Sequence, residues 1–110
     1  MSDLPRKESH LKVLRLLEAN PGVSQRELAH DLGISLGKTN YCIRALLSEG
    51  LIKMQNFRNS DNKAAYAYLL TPEGIVAKAD LTRRFLAQKL QEYEALRREI
   101  DHLREEAGDS

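Results

Sequence analysis

Tryptophan is absent from this 110-residue chain, aromatic residues make up only 5%, and Cys42 is the single cysteine. One thiol excludes an internal disulfide and suits a reducing compartment. No charge of one sign dominates: 17 Lys+Arg stand against 16 Asp+Glu, a net charge of +1. The overall balance therefore gives no support to polyanion binding, and any such reading rests on where the charges sit. No apolar run approaches the ~18 residues that a membrane span needs. The opening Met1-Ser2-Asp3-Leu4-Pro5-Arg6-Lys7 leads into no apolar stretch with a cleavage site, so a signal peptide is not expected. There is no glycine-rich phosphate loop and no nucleophile motif. His10, His30 and His102 are scattered without ligand spacing and read as surface histidines. These absences predict a soluble cytoplasmic protein that is not an enzyme, with no metal and no cofactor. The length allows one compact domain and an appendage.

What is present is a clear order of elements. Leu11, Leu14 and Leu17, with Val13 and Leu16, predict a helix over residues 5–19, stopped by Asn20-Pro21-Gly22. Ser24-Gln25-Arg26-Glu27 reads as a reciprocal capping box opening a short helix that carries Leu28, Ala29 and Leu32. Gly33 suits a left-handed helix end, Ile34 reads as a buried plug, and Ser35 is the next N-cap. A third helix runs to about Glu49 with Thr39, Ile43, Leu46 and Leu47 inward, and Gly50 stops it. The period then changes to two: Ile52, Met54 and Asn56 alternate, as do Tyr66, Tyr68 and Leu70. Residues 58–63 between them are polar turn material. Thr71-Pro72 starts a helix that only Gly74 interrupts before about Ala107. At 1.5 Å per residue it measures ~54 Å, more than so small a domain can cover. The fold class is mostly α with a small β-hairpin: a winged helix-turn-helix domain over residues 5–71 and a long C-terminal helix over residues 72–107.

The capped helices and glycine turn over residues 24–50 form a helix-turn-helix whose third helix can enter a major groove, and the hairpin is its wing. Its outward positions are Ser35, Leu36, Gly37, Lys38, Asn40, Tyr41 and Arg44. Arg44 suits guanine and Asn40 adenine, each through two hydrogen bonds. Lys38 suits a phosphate or guanine, Gly37 permits close approach, and Ser35 with the helix start can hold a phosphate. Gln25 and Arg26 lie where a backbone phosphate would sit, and Arg58, Asn59, Asn62 and Lys63 are offered by the wing. Residues 36–63 hold five cations against two anions, a local +3, whereas residues 91–110 hold three against seven, a local −4.

The run from Ser24 through Ser35 resembles winged-helix regulators of the MarR type. More narrowly, the run from Gly33 to Cys42, above all Asn40-Tyr41-Cys42, then Gln55-Asn56-Phe57-Arg58 and the stretch from Ala65 to Pro72 are similar to small MarR-type regulators associated with exopolysaccharide gene clusters. The resemblance covers nearly the whole chain. It implies a dimeric regulator bound to double-stranded DNA, acting on exopolysaccharide-related genes. The chain is shorter than larger MarR proteins, which argues against a small-molecule effector. A protein-interaction module without sequence-specific DNA binding is the alternative.

Tyr93, Leu96, Ile100, Leu103 and Ala107 are spaced 3, 4, 3, 4, a short heptad seam, and Phe85, Leu86 and Leu90 continue a wider apolar face upstream. A helix that outruns its domain predicts self-association through Phe85, Leu86, Leu90, Tyr93, Leu96, Ile100 and Leu103. The spacing leaves parallel and antiparallel pairing open. Glu94 with Arg98, and Arg97 with Asp101, are placed to support the helix at i, i+4. Cys42, alone in the reading helix, reads as a small buried hydrophobe rather than a redox sensor.

Overall fold

A computed structural model describes residues 4–58 and 64–108. The order is α1 (Leu4–Ala19), α2 (Gln25–Leu32), α3 (Leu36–Ser48), β1 (Ile52–Arg58), β2 (Ala64–Leu70) and α4 (Pro72–Glu106). The fold is a winged helix domain with a long C-terminal helix.

Helix α1 is the centre of the core. Val13, Leu14 and Leu17 are fully buried, with Leu11 and His10 nearly so. These positions ring more than one face because α1 touches α2, α3 and β2 as well as α4. Leu28 from α2, Ile43 and Leu46 from α3, Ile52 from β1 and Leu81 from α4 complete the cluster. Each such side chain contributes roughly 1.5–3 kcal/mol through burial. His10 thus belongs to the interior, not the surface. Its position is one helical turn before Leu14, on the stripe that α1 presents to its neighbours.

Local signals set the element ends. The Ser24 hydroxyl accepts the Glu27 amide at 3.1 Å, capping α2. The return bond of a full capping box, from the Ser24 amide to the Glu27 carboxylate, is not made among the described residues. Gly33 closes α2 with φ 68°, and the Ile34 amide reaches back to Ala29 O at 3.1 Å. Ile34 itself is only half-buried, because the turn lies at the domain edge. Thr39, Cys42, Ile43 and Leu46 form the buried side of α3, so Cys42 occupies an inward position and Leu47 a half-buried one.

The strands pair antiparallel with Ile52 opposite Leu70, Met54 opposite Tyr68 and Asn56 opposite Tyr66. These six therefore share one face. Only its root meets the core: Ile52 is buried and Tyr68 and Leu70 are half-buried, while Met54 and Tyr66 stay exposed as the hairpin projects. Pairing extends to Arg58, which belongs to the strand rather than to the turn. The Tyr68 amide also donates to Pro21 O at 3.2 Å, tying the wing to the turn between α1 and α2.

The start of α4 is locked to the end of α3. Thr71 Oγ1 donates to Gly50 O at 2.6 Å and accepts the Gly74 amide at 3.0 Å, and the Thr71 amide donates to Leu51 O at 3.0 Å. A β-carbon on Gly74 would collide with the Leu51 carbonyl oxygen, so only glycine admits this approach. A Lys78–Glu18 ion pair joins α4 to α1. Beyond Lys89 every described residue of α4 is exposed. The molecule measures 68 × 26 × 24 Å, and its radius of gyration is 19.0 Å against about 13 Å for a compact chain of this length.

Candidate nucleic-acid interface

The surface of interest is the outward side of α3 with the wing beside it. Ser35 caps α3 by accepting the Lys38 amide at 3.1 Å, and its carbonyl takes the Thr39 hydroxyl at 3.0 Å. Thr39 is completely buried, so it pins the helix start to the core. The Ser35 hydroxyl is thereby already engaged within the chain.

Gly37, Tyr41, Arg44 and Ser48 follow at 4, 3 and 4 residues and form one exposed row, with Lys38 alongside. Tyr41 is 61% exposed and Leu36 45%. Arg26, at the start of α2, is exposed as well. Among the described residues, none of Arg26, Lys38 and Arg44 is held in an ion pair within the chain, so their charges face solvent. Extended cationic and aromatic side chains along one helical row match what a groove floor and its phosphates require.

Asn40 and Gln25 have a different placement. Asn40 Nδ2 donates to Gln25 Oε1 at 3.2 Å, and Gln25 Nε2 donates to the Tyr68 hydroxyl at 3.3 Å. This relay runs from the reading helix through α2 to the wing. Both amides are half-buried. A two-bond contact of Asn40 with adenine uses its NH2 group, which here is directed at Gln25. Gln25, with both ends of its amide engaged, is a link between elements in this conformation. Sequence reasoning assigned Tyr68 only to the apolar alternation of the strand; its hydroxyl was the overlooked part.

Arg58 is the last residue of β1, paired with Ala64. Asn59, Asn62 and Lys63 lie outside the described residues. Lys53 and Asn56 are exposed on the described part of the wing. On α4, Leu86, Leu90, Tyr93, Leu96, Ile100 and Leu103 are between 40% and 60% exposed. Phe85 instead packs against the core of its own domain. Neither Glu94–Arg98 nor Arg97–Asp101 forms an ion pair; those described on α4 include Arg84–Asp80 at 3.0 Å and Lys89–Glu92 at 3.2 Å. Among the described residues no group of three or more His, Cys, Asp or Glu could hold a metal ion, and no helix is long and apolar enough to cross a membrane.

Comparison with known proteins agrees with this geometry. Residues 6–53 match the family model for winged helix-turn-helix DNA-binding domains. No curated protein matches the sequence significantly. Among solved structures, a PadR-like transcriptional regulator from Bacillus cereus superposes with a TM-score of 0.74 at 16% identity, over 86% of this chain and 97% of that one. A MarR transcriptional regulator from Methanosarcina mazei gives a TM-score of 0.63 at 25% identity, over 88% of this chain and 71% of that one. A Staphylococcus aureus MepR variant bound to an oligodeoxyribonucleotide gives 0.56 at 19% identity, over 90% and 78%. The chain thus carries a winged helix-turn-helix domain in a fold shared with PadR-like and MarR-type regulators.

Proposed function

We propose that this protein is a sequence-specific DNA-binding transcription regulator that works as a homodimer and is not an enzyme. The observation that carries the reading is the exposed row of α3, whose Lys38, Tyr41 and Arg44 project from a helix pinned to the core by Ser35 and Thr39. Such a row enters the major groove while Arg26 and the wing meet the backbone on either side. The match of residues 6–53 to a DNA-binding family, and a structural neighbour captured on an oligodeoxyribonucleotide, support DNA as the partner. A DNA target puts its work in the cytoplasm. The likeness of residues 40–42 and the wing flanks to exopolysaccharide-associated regulators supports targets among such genes.

The domain over residues 5–71 reads DNA, and the helix over residues 72–107 pairs two copies. The accessible surface is 8218 Å², about 2,000 Å² above the scaling for a compact 12.5 kDa monomer. Much of the excess comes from the projecting part of α4. Covering the remaining half of each of its six exposed apolar side chains contributes on the order of 1 kcal/mol apiece. Over two copies that is ~10 kcal/mol, comparable to the 4–15 kcal/mol cost of association. A second copy is therefore an occupant of the right size, in a concentration-dependent equilibrium.

The test is a fluorescence-anisotropy titration against the duplex upstream of the protein's own gene, from about 50 to 200 mM salt. Affinity should fall steeply with salt and exceed that for a scrambled duplex. Binding that is absent, or indifferent to both sequence and salt, would favour a winged helix that docks protein instead.

A further inference from the structure

We propose that the two α4 helices pair as a parallel two-stranded coiled coil, with Glu99 of one copy against Arg104 of the other and Glu92 against Arg97. This rests on the reading of α4 as the pairing element. Placing Tyr93 and Ile100 at the first core position of the heptad puts Leu96 and Leu103 at the second. The positions that flank this seam then sort by charge. One flank holds Glu92, Glu99 and Glu106, and the other holds Arg97 and Arg104.

Orientation decides which flanks meet. In a parallel pair, each flank faces the opposite flank of the partner, one heptad displaced, and every such contact here joins Glu to Arg. In an antiparallel pair, each flank faces its own copy, so Glu would meet Glu and Arg would meet Arg. With the chains parallel, the branched Ile100 at the first core position and Leu96 and Leu103 at the second suit two strands, with Tyr93 at the other first position. Among the described residues neither Arg97 nor Arg104 is engaged in an ion pair within the chain, whereas Glu92 already holds Lys89 at 3.2 Å. The arginines are thus available across the seam.

The domain does not block this arrangement. Gly74, Leu81 and Phe85 face the domain. At about 100° per residue they lie about 60° round the helix from the seam. The partner helix docks beside the domain, and both reading helices fall at the same end of the dimer.

Leu103→Cys in the full chain tests the orientation, since equivalent core positions of a parallel pair come within disulfide reach. Cys42 is buried and does not compete. Mild oxidation should convert most of the Leu103→Cys protein to a covalent dimer, and an equimolar mixture of Leu103→Cys and Tyr93→Cys, the pair that an antiparallel seam would bring together, should give no mixed species. A chain that stays dimeric without that cross-link, or that yields the mixed species, overturns the parallel arrangement and leaves pairing through α4 intact. A monomeric wild-type chain in sedimentation overturns pairing itself. As an independent arm, Arg97→Glu with Arg104→Glu should weaken dimerisation at least tenfold at low salt, and mixing with Glu92→Arg, Glu99→Arg should restore it. An unchanged association constant would mean that arginine faced arginine and would overturn the proposal.

Discussion

At the scale of single residues, one absent side chain sets the packing of α4 and one exposed cation sets the grip on the backbone. Gly74 is helical, so its need for glycine comes from the Leu51 carbonyl packed against it rather than from backbone strain. Gly74→Ala should destabilise the fold by about 3 kcal/mol or more, because the obstructing atom is backbone and cannot rotate away. Denaturant unfolding checks this; a loss within 0.5 kcal/mol would show that α4 shifts freely on α3. Lys38 is exposed and, among the described residues, outside any ion pair, and it flanks the reading row. Lys38→Ala should weaken specific and scrambled duplexes alike and reduce the salt slope by about one, as expected for a phosphate contact. A slope unchanged from wild type would remove Lys38 from the interface.

At the scale of elements, the relay of Asn40, Gln25 and the Tyr68 hydroxyl joins α3, α2 and the wing. Tyr68→Phe removes one hydrogen bond and keeps the half-buried ring, at a stability cost of about 1 kcal/mol. It should lower affinity for the specific duplex more than for a scrambled one, since the wing and reading helix lose a shared anchor. Equal losses on both duplexes would make the bond purely structural.

Much of this level was legible in the sequence. The caps at Ser24, Ser35 and Thr71 and the left-handed Gly33 are local chemistry, and each stands where its residue type implies. What was not legible depended on distant partners. His10 is interior because α4 and α3 close over α1. Asn40 has the side chain of an adenine reader, but Gln25 folds against it from another helix. Of the i, i+4 pairs on α4, Glu94–Arg98 and Arg97–Asp101 do not form whereas Arg84–Asp80 does; exposed pairs of this kind are worth only about 0.3–0.5 kcal/mol, so spacing alone does not decide which are made.

At the scale of the whole molecule, the elongated shape divides the labour. The compact part presents α3 and the wing, and residues 91–106 project into solvent with an apolar seam. A chain ending before Tyr93 loses Tyr93, Leu96, Ile100 and Leu103 but none of the core. It should keep a cooperative fold, sediment as a monomer and bind its operator at least tenfold more weakly. A truncated chain that remains dimeric would move the interface toward Leu86 and Leu90.

On the proposed function, the outward row of α3 reads base pairs. Arg44 stands in the middle of that row, exposed and, among the described residues, outside any ion pair. The decisive measurement is the binding free energy of Arg44→Ala against wild type on the specific duplex and on a scrambled one at a single salt concentration. A loss of roughly 1–3 kcal/mol confined to the specific duplex is predicted. An equal loss on both duplexes, or none on either, would contradict the account.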